Sequence, residues 1–94
     1  MVKVVKVGDL VLSKAGRDKG KYFLVVAVSG AIATLVDGRT RKVSNPKKKN
    51  VKHLEMVLSA VNIELAEKIQ NGQAVGNERV YKTVKSEKQK IQED

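Results

Sequence analysis

The side chains with the clearest chemistry in this sequence are its cations. Residues 41–53 hold Arg41, Lys42, Lys47, Lys48, Lys49 and Lys52, together with His53 and no acid. Like charges this close repel one another, so folding alone gains nothing from them, and an anionic partner would relieve the repulsion. A second group, Lys14, Arg17, Lys19 and Lys21, surrounds Gly16 and Gly20. Those glycines permit backbone conformations closed to other residues and leave room for close approach. Arginine can pair two hydrogen bonds with a phosphate, whereas lysine acts as a point charge. The chemistry these residues suit is phosphate recognition, and RNA contact is the expectation for the acid-free run.

Other chemistries find little support. The chain has no cysteine and one histidine, which excludes a disulfide framework and argues against His-based metal sites or a Ser-His-Asp device. His53 reads as a strand residue or a phosphate neighbour. Asp9, Asp18 and Asp37 each stand beside a glycine or in a turn and read as turn residues rather than an acid–base pair. With no activated nucleophile or metal site either, the expectation is a non-enzymatic protein without a cofactor. The three aromatics are Tyr22, Phe23 and Tyr81. Tyr22 and Phe23 open an apolar run and read as core, so stacking recognition of single strands is not expected. Apolar runs stop at six or seven residues and no secretory leader opens the chain. A soluble cytoplasmic protein, monomeric when free and away from membranes, is the expectation.

The charge is unevenly placed. The 94 residues carry a formal net charge of +9. Residues 1–54 hold thirteen Lys and Arg against three Asp, while residues 55–94 hold six against seven Asp and Glu. One basic module followed by a near-neutral one suggests a nucleic-acid or anionic-membrane surface on the first part. By the same reasoning residues 55–94 make a poor RNA surface, and their apolar stripes are expected to dock in cis.

The elements that must position these residues can be read from the apolar pattern. Residues 2–7 form an apolar lead-in. Strands are expected over residues 10–13, 22–28 and 31–36, with the basic glycine turn at 14–21 and a tight turn at Ser29-Gly30. Asp37-Gly38 is the strongest hairpin signal, which predicts a partner strand over residues 39–43. Asn45-Pro46 ends it, leaving Lys47 to Asn50 as a basic loop, and residues 53–58 make the last strand. About five short strands with no connection long enough for a crossover helix suggest a small barrel or sandwich. After Ser59 the period changes. Asn62 can cap a helix carrying Ile63, Leu65, Ala66 and Ile69, with Gly72 as its C-terminal cap. Asn77 can cap a second one carrying Val80, Tyr81, Val84 and Ile91, with fraying expected over residues 86–94. The domain expectation is a β module over residues 1–59 and a helical extension over 60–94.

Three pieces in order resemble a known family. Ser13 to Lys21 followed by an apolar strand looks like the KOW motif. The pattern K-A-G-R-x-x-G-K at residues 14–21, then V-D-G at 36–38, then a basic stretch ending V-K-H-L-E at 51–55, resembles large-subunit ribosomal proteins of archaea and eukaryotes. It also resembles small stand-alone bacterial KOW-domain RNA-binding proteins. The resemblance covers residues 6–58 and implies a mainly β fold, a five-stranded SH3-like barrel, here followed by one or two short helices. It implies binding of RNA, typically structured ribosomal RNA or ribosomal particles, through the barrel rim. Carried over position by position, Lys14, Arg17, Lys19 and Lys21 belong to the motif loop, with Gly16, Gly20 and Gly38 as structural turn glycines. Arg39, Arg41 and Lys42 follow Asp-Gly, and Lys47, Lys48, Lys49, Lys52 and His53 precede the last strand. The alternative within the same resemblance is a transcription-linked module touching nascent RNA or polymerase.

Overall fold

The computed structural model describes residues 4–92. Five strands, β1 (Leu10–Ser13), β2 (Tyr22–Ser29), β3 (Ile32–Val36), β4 (Lys47–Asn50) and β5 (Leu54–Leu58), form one antiparallel sheet in the order β4-β3-β2-β1-β5. A 3-10 turn (Val51–His53) joins β4 to β5, and two helices follow, α1 (Ile63–Gln70) and α2 (Asn77–Gln92). Residues 4–7 are not a strand, though Val5 is buried; the first residues of the expected lead-in lie outside the described residues.

The continuous apolar run of β2 is explained by burial on both faces, since alternate side chains point to opposite sides. Leu24 and Val26 join Leu10 and Val36 in a core completed by Leu65, Ala66, Val80 and Val84 from the helices. Phe23 and Val25 join Val5, Val11, Ala33, Leu35 and Leu54 on the opposite face. Among the described residues no α-helix contributes to that second cluster, which Val5 of the lead-in joins; the sheet curls around it. The ladder slips between Val25 and Ala27, and β1 slips against β5 between Leu10 and Val11. Such bulges bend a strand and raise its twist. The two edge strands, β4 and β5, are joined by a 3-10 turn of three residues. Five flat strands would set their edges about 19 Å apart, more than so short a turn can reach. Two bonds seat the turn: Val51 N–H donates to Ala31 O at 2.8 Å, and Lys14 N–H to His53 O at 2.9 Å. No ladder joins β4 to β5, so the sheet is open and not the closed barrel expected from the resemblance. With a 16-residue α2, the class is mixed, though strand-rich, rather than mainly β with short helices.

The fourth strand is not where the sequence placed it. Residues 39–43 are turn and bend, and β4 is the lysine run expected to be a loop. The cause is Asp37. Its carboxylate accepts from Arg39 N–H (2.9 Å), Arg41 N–H (2.7 Å) and the Thr40 hydroxyl, which coils the chain into a capped loop instead of a type I′ hairpin. The strand is then delayed past Pro46, and β4 pairs with β3 from Lys47↔Leu35 to Asn50↔Ile32.

Both helices dock through their first turns onto glycines of the sheet module. A Cβ on Gly38 would lie 2.3 Å from Asn77 O and 2.6 Å from Tyr81 N, and one on Gly8 would lie 2.9 Å from Ile63 Cα. Asn62 caps α1 as expected, accepting from Leu65 N–H at 2.9 Å, and Gly72 takes a positive φ just past its end. Asn77 does not cap α2: its Oδ1 accepts from Val43 N–H at 2.7 Å, while Gly76 O receives Arg79 N–H. Ile63, expected on the buried stripe of α1, is exposed, and Leu65 with Ala66 fills that place. The α2 helix is continuous through Gln92; residues 93 and 94 lie outside the described residues.

Candidate nucleic-acid interface

The motif loop is built by backbone bonds of its own. Gly20 N–H donates to Ser13 O (2.9 Å), Lys19 N–H to Gly16 O (3.2 Å) and Lys21 N–H to Asp18 O (3.0 Å). Gly16 and Gly20 take φ of 83° and 89°, the left-handed region open to them. This folding turns one residue inward and the rest outward. Arg17, Lys19, Lys21 and Lys14 are exposed, and Asp18 is drawn under the loop.

Asp18 is the anchor of the site. Ser13 Oγ donates to its Oδ1 at 2.7 Å, and Lys49 Nζ binds the same oxygen and also donates to Ala15 O at 2.7 Å. Lys47 Nζ stands 3.9 Å from Oδ2, an oxygen that is buried and makes no hydrogen bond. Burial pushes the Asp18 pKa up, but the hydrogen bonds from Lys49 and Ser13 and the charges of Lys49 and Lys47 outweigh it and hold the carboxyl below its ordinary value. Lys49, with a side chain only 9% exposed, is therefore an internal clamp between β4 and the motif loop rather than a free cation. The strand period explains the split: Lys47 and Lys49 share the face toward Asp18, and Lys48 points to the other and is exposed.

The loop shaped by Asp37 comes up beside the motif loop. Arg17 and Lys21 from one and Arg41 from the other, with Lys47 of β4, line a shallow depression of about 160 Å³ with Asp18 at its base. Residues more than twenty positions apart in the sequence thus present four cations around one volume. Lys42, Lys48 and Lys52 are exposed beyond it, and His53 is half-buried in the 3-10 turn. Lys14 is shared with Glu55 at 3.5 Å, a solvent-exposed pair. Arg39 leaves the cation group in another direction: its guanidinium stacks on the Tyr81 ring at 3.8 Å and ties the loop to α2.

A second cleft, of about 330 Å³, opens where α2 crosses the start of β2, lined by Tyr22, Tyr81, Lys21, Lys85 and Lys88 among others. It places Lys85 and Lys88 of the C-terminal part beside Tyr22 and Tyr81, a grouping that the near-neutral charge of residues 55–94 did not announce. The signal was present as spacing: residues 81, 85 and 88 fall at i, i+4 and i+7 on one helical face, away from the groove where Glu78 and Glu87 stand with Arg79 and Lys82. Averaging charge over residues 55–94 hid that separation. Ion pairs within the helices join Glu64 to Lys68 on α1 and Glu87 to Lys90 on α2. Among the described residues no helix is long and apolar enough to cross a membrane. No model of a known protein family matches the chain, and no curated protein is significantly similar to it.

Proposed function

We propose that this chain is an RNA-binding protein of the KOW type, acting on ribosomal RNA or ribosomal particles in the cytoplasm. In this reading the curled sheet is an SH3-like barrel left open between β4 and β5. The observation that carries the proposal is the depression holding Arg17, Lys21, Arg41 and Lys47, whose one carboxylate is bonded by Ser13 and Lys49 and stands 3.9 Å from Lys47. Four cations converging from three elements suit a phosphate backbone, with the arginines able to bind it through two donors each. The sheet fixes their orientation, which suits recognition of RNA by shape.

The test is affinity for a paired RNA hairpin as a function of salt. Four phosphate contacts predict a slope of log K against log salt of roughly −3 to −4. Replacing Arg17 and Arg41 together by alanine is expected to flatten that slope by about 2 while the unfolding midpoint stays put. An unchanged slope in that variant removes the depression from the interface. Co-purification with polymerase in place of ribosomal particles would move the protein to the transcription-linked alternative.

A further inference from the structure

The cleft beside α2 has a composition the phosphate-binding reading does not require. Tyr22 and Tyr81, the only tyrosines of the chain, both line it, with Lys21, Lys85, Lys88 and Gln89. Lys88 Nζ lies 5.4 Å from the Tyr22 ring centroid, and Lys85 Nζ 5.9 Å from that of Tyr81. Arg39 backs Tyr81 at 3.8 Å, which fixes that ring as a wall. The one carboxylate on the lining, Asp37, spends its oxygens on Arg39 N–H, Arg41 N–H and the Thr40 hydroxyl. Aromatic faces with lysines poised above them and a side-chain amide at the edge match the parts of a nucleotide: a ring to stack, a phosphate to neutralise and a base edge to hydrogen-bond. A volume of about 330 Å³ is at the small end of ligand pockets, the scale of one such unit. Lys21 lines both this cleft and the phosphate depression, so the two are neighbours on the surface.

We propose that the cleft between α2 and the start of β2 receives a single unpaired base projecting from an RNA whose paired stem lies on the neighbouring depression. The proposal rests on the RNA-binding reading and adds a preference to it. On binding, the base stacks on Tyr22, Lys88 swings from the ring to the adjoining phosphate, and Lys85 and Lys21 neutralise the backbone on either side.

The experiment compares a fully paired RNA hairpin with the same hairpin carrying one bulged nucleotide, using the full chain. Because the chain has no tryptophan, its intrinsic fluorescence reports Tyr22 and Tyr81 alone. The bulged hairpin is expected to quench it and to bind about tenfold more tightly than the paired one. Lys85→Gln with Lys88→Gln, and separately Tyr22→Leu, should each abolish that preference while leaving affinity for the paired hairpin within about twofold. Equal affinity for the two hairpins, or a preference that survives both variants, overturns the base site and leaves the phosphate reading standing. Adenosine monophosphate quenching as strongly as the bulged hairpin would also overturn it, in favour of a free nucleotide. Failure to bind either hairpin removes both readings.

Discussion

The carboxylate of Asp18 lies beneath the cations of the depression, bonded to Lys49 and Ser13 and 3.9 Å from Lys47. Its pKa is lowered by folding, so the unfolded chain takes up the proton more readily than the native one. The stabilisation is complete above the unfolded value of about 3.9 and is lost as pH falls through the lower native value. Thermal unfolding should therefore show a fall in midpoint below about pH 4 in the native chain. Asp18→Asn should flatten that fall and lower the neutral-pH midpoint by about 10 °C, the equivalent of roughly 1.5–3 kcal/mol for a charge-assisted bond left half made. A variant that melts with the native chain at pH 7 would show that the clamp does not hold the loop. None of this pairing was legible in the sequence. Asp18 and Lys49 are 31 positions apart, and an Asp between glycines announces only a turn. The exposed cations were legible, because a basic residue in a polar turn has nowhere to go but outward.

Elements with a strong local period were read correctly, and both helices dock on the sheet in cis as their apolar stripes predicted; the close approaches that seat them were not legible. β1 and β2 stand where the apolar runs put them, and α1 begins at its Asn62 cap. β4 was misplaced because Asp37-Gly38 is locally a hairpin signal. In the fold, Asp37 spends its carboxylate on the loop and Gly38 its missing side chain on α2. That second use gives a contrast between two glycines of similar backbone. At Gly38 (φ +81°) a Cβ would stand 2.3 Å from Asn77 O, whereas at Gly20 (φ +89°) nothing lies within 4 Å. Gly20→Ala should cost about 1–2 kcal/mol, the strain of a left-handed alanine. Gly38→Ala must also push back the first turn of α2, loosening Val80 and Val84, whose burial is worth about 1.5–3 kcal/mol each. Urea unfolding should separate the two variants by at least about 2 kcal/mol, with helical signal lost first in Gly38→Ala. Equal midpoints would mean that α2 does not depend on this close approach.

Across the molecule, folding gathers what the sequence scatters. The motif loop, the loop after Asp37 and α2 meet at Lys21, which lines both the depression and the cleft. Six of the chain's cations, Arg17, Lys21, Arg41, Lys47, Lys85 and Lys88, thus line two neighbouring hollows, and an anion that occupies them releases counterions. A complex held in this way is strong at low salt and weak at high salt: a slope of roughly −3 to −4 means that a tenfold rise in salt lowers affinity by about three to four powers of ten. On the proposed ribosomal reading, lysate carrying the tagged chain, sedimented through a sucrose gradient, should place it with the large ribosomal subunit at low salt and at the top of the gradient at high salt. The Arg17/Arg41 double alanine variant should leave the subunit at intermediate salt, before the native chain does. Retention at high salt would mean that buried or base-specific contacts outweigh the phosphate contacts and that the chain is built into the particle. A chain found at the top of the gradient under both conditions would rule out the ribosome as its partner while leaving the depression free to act on another RNA.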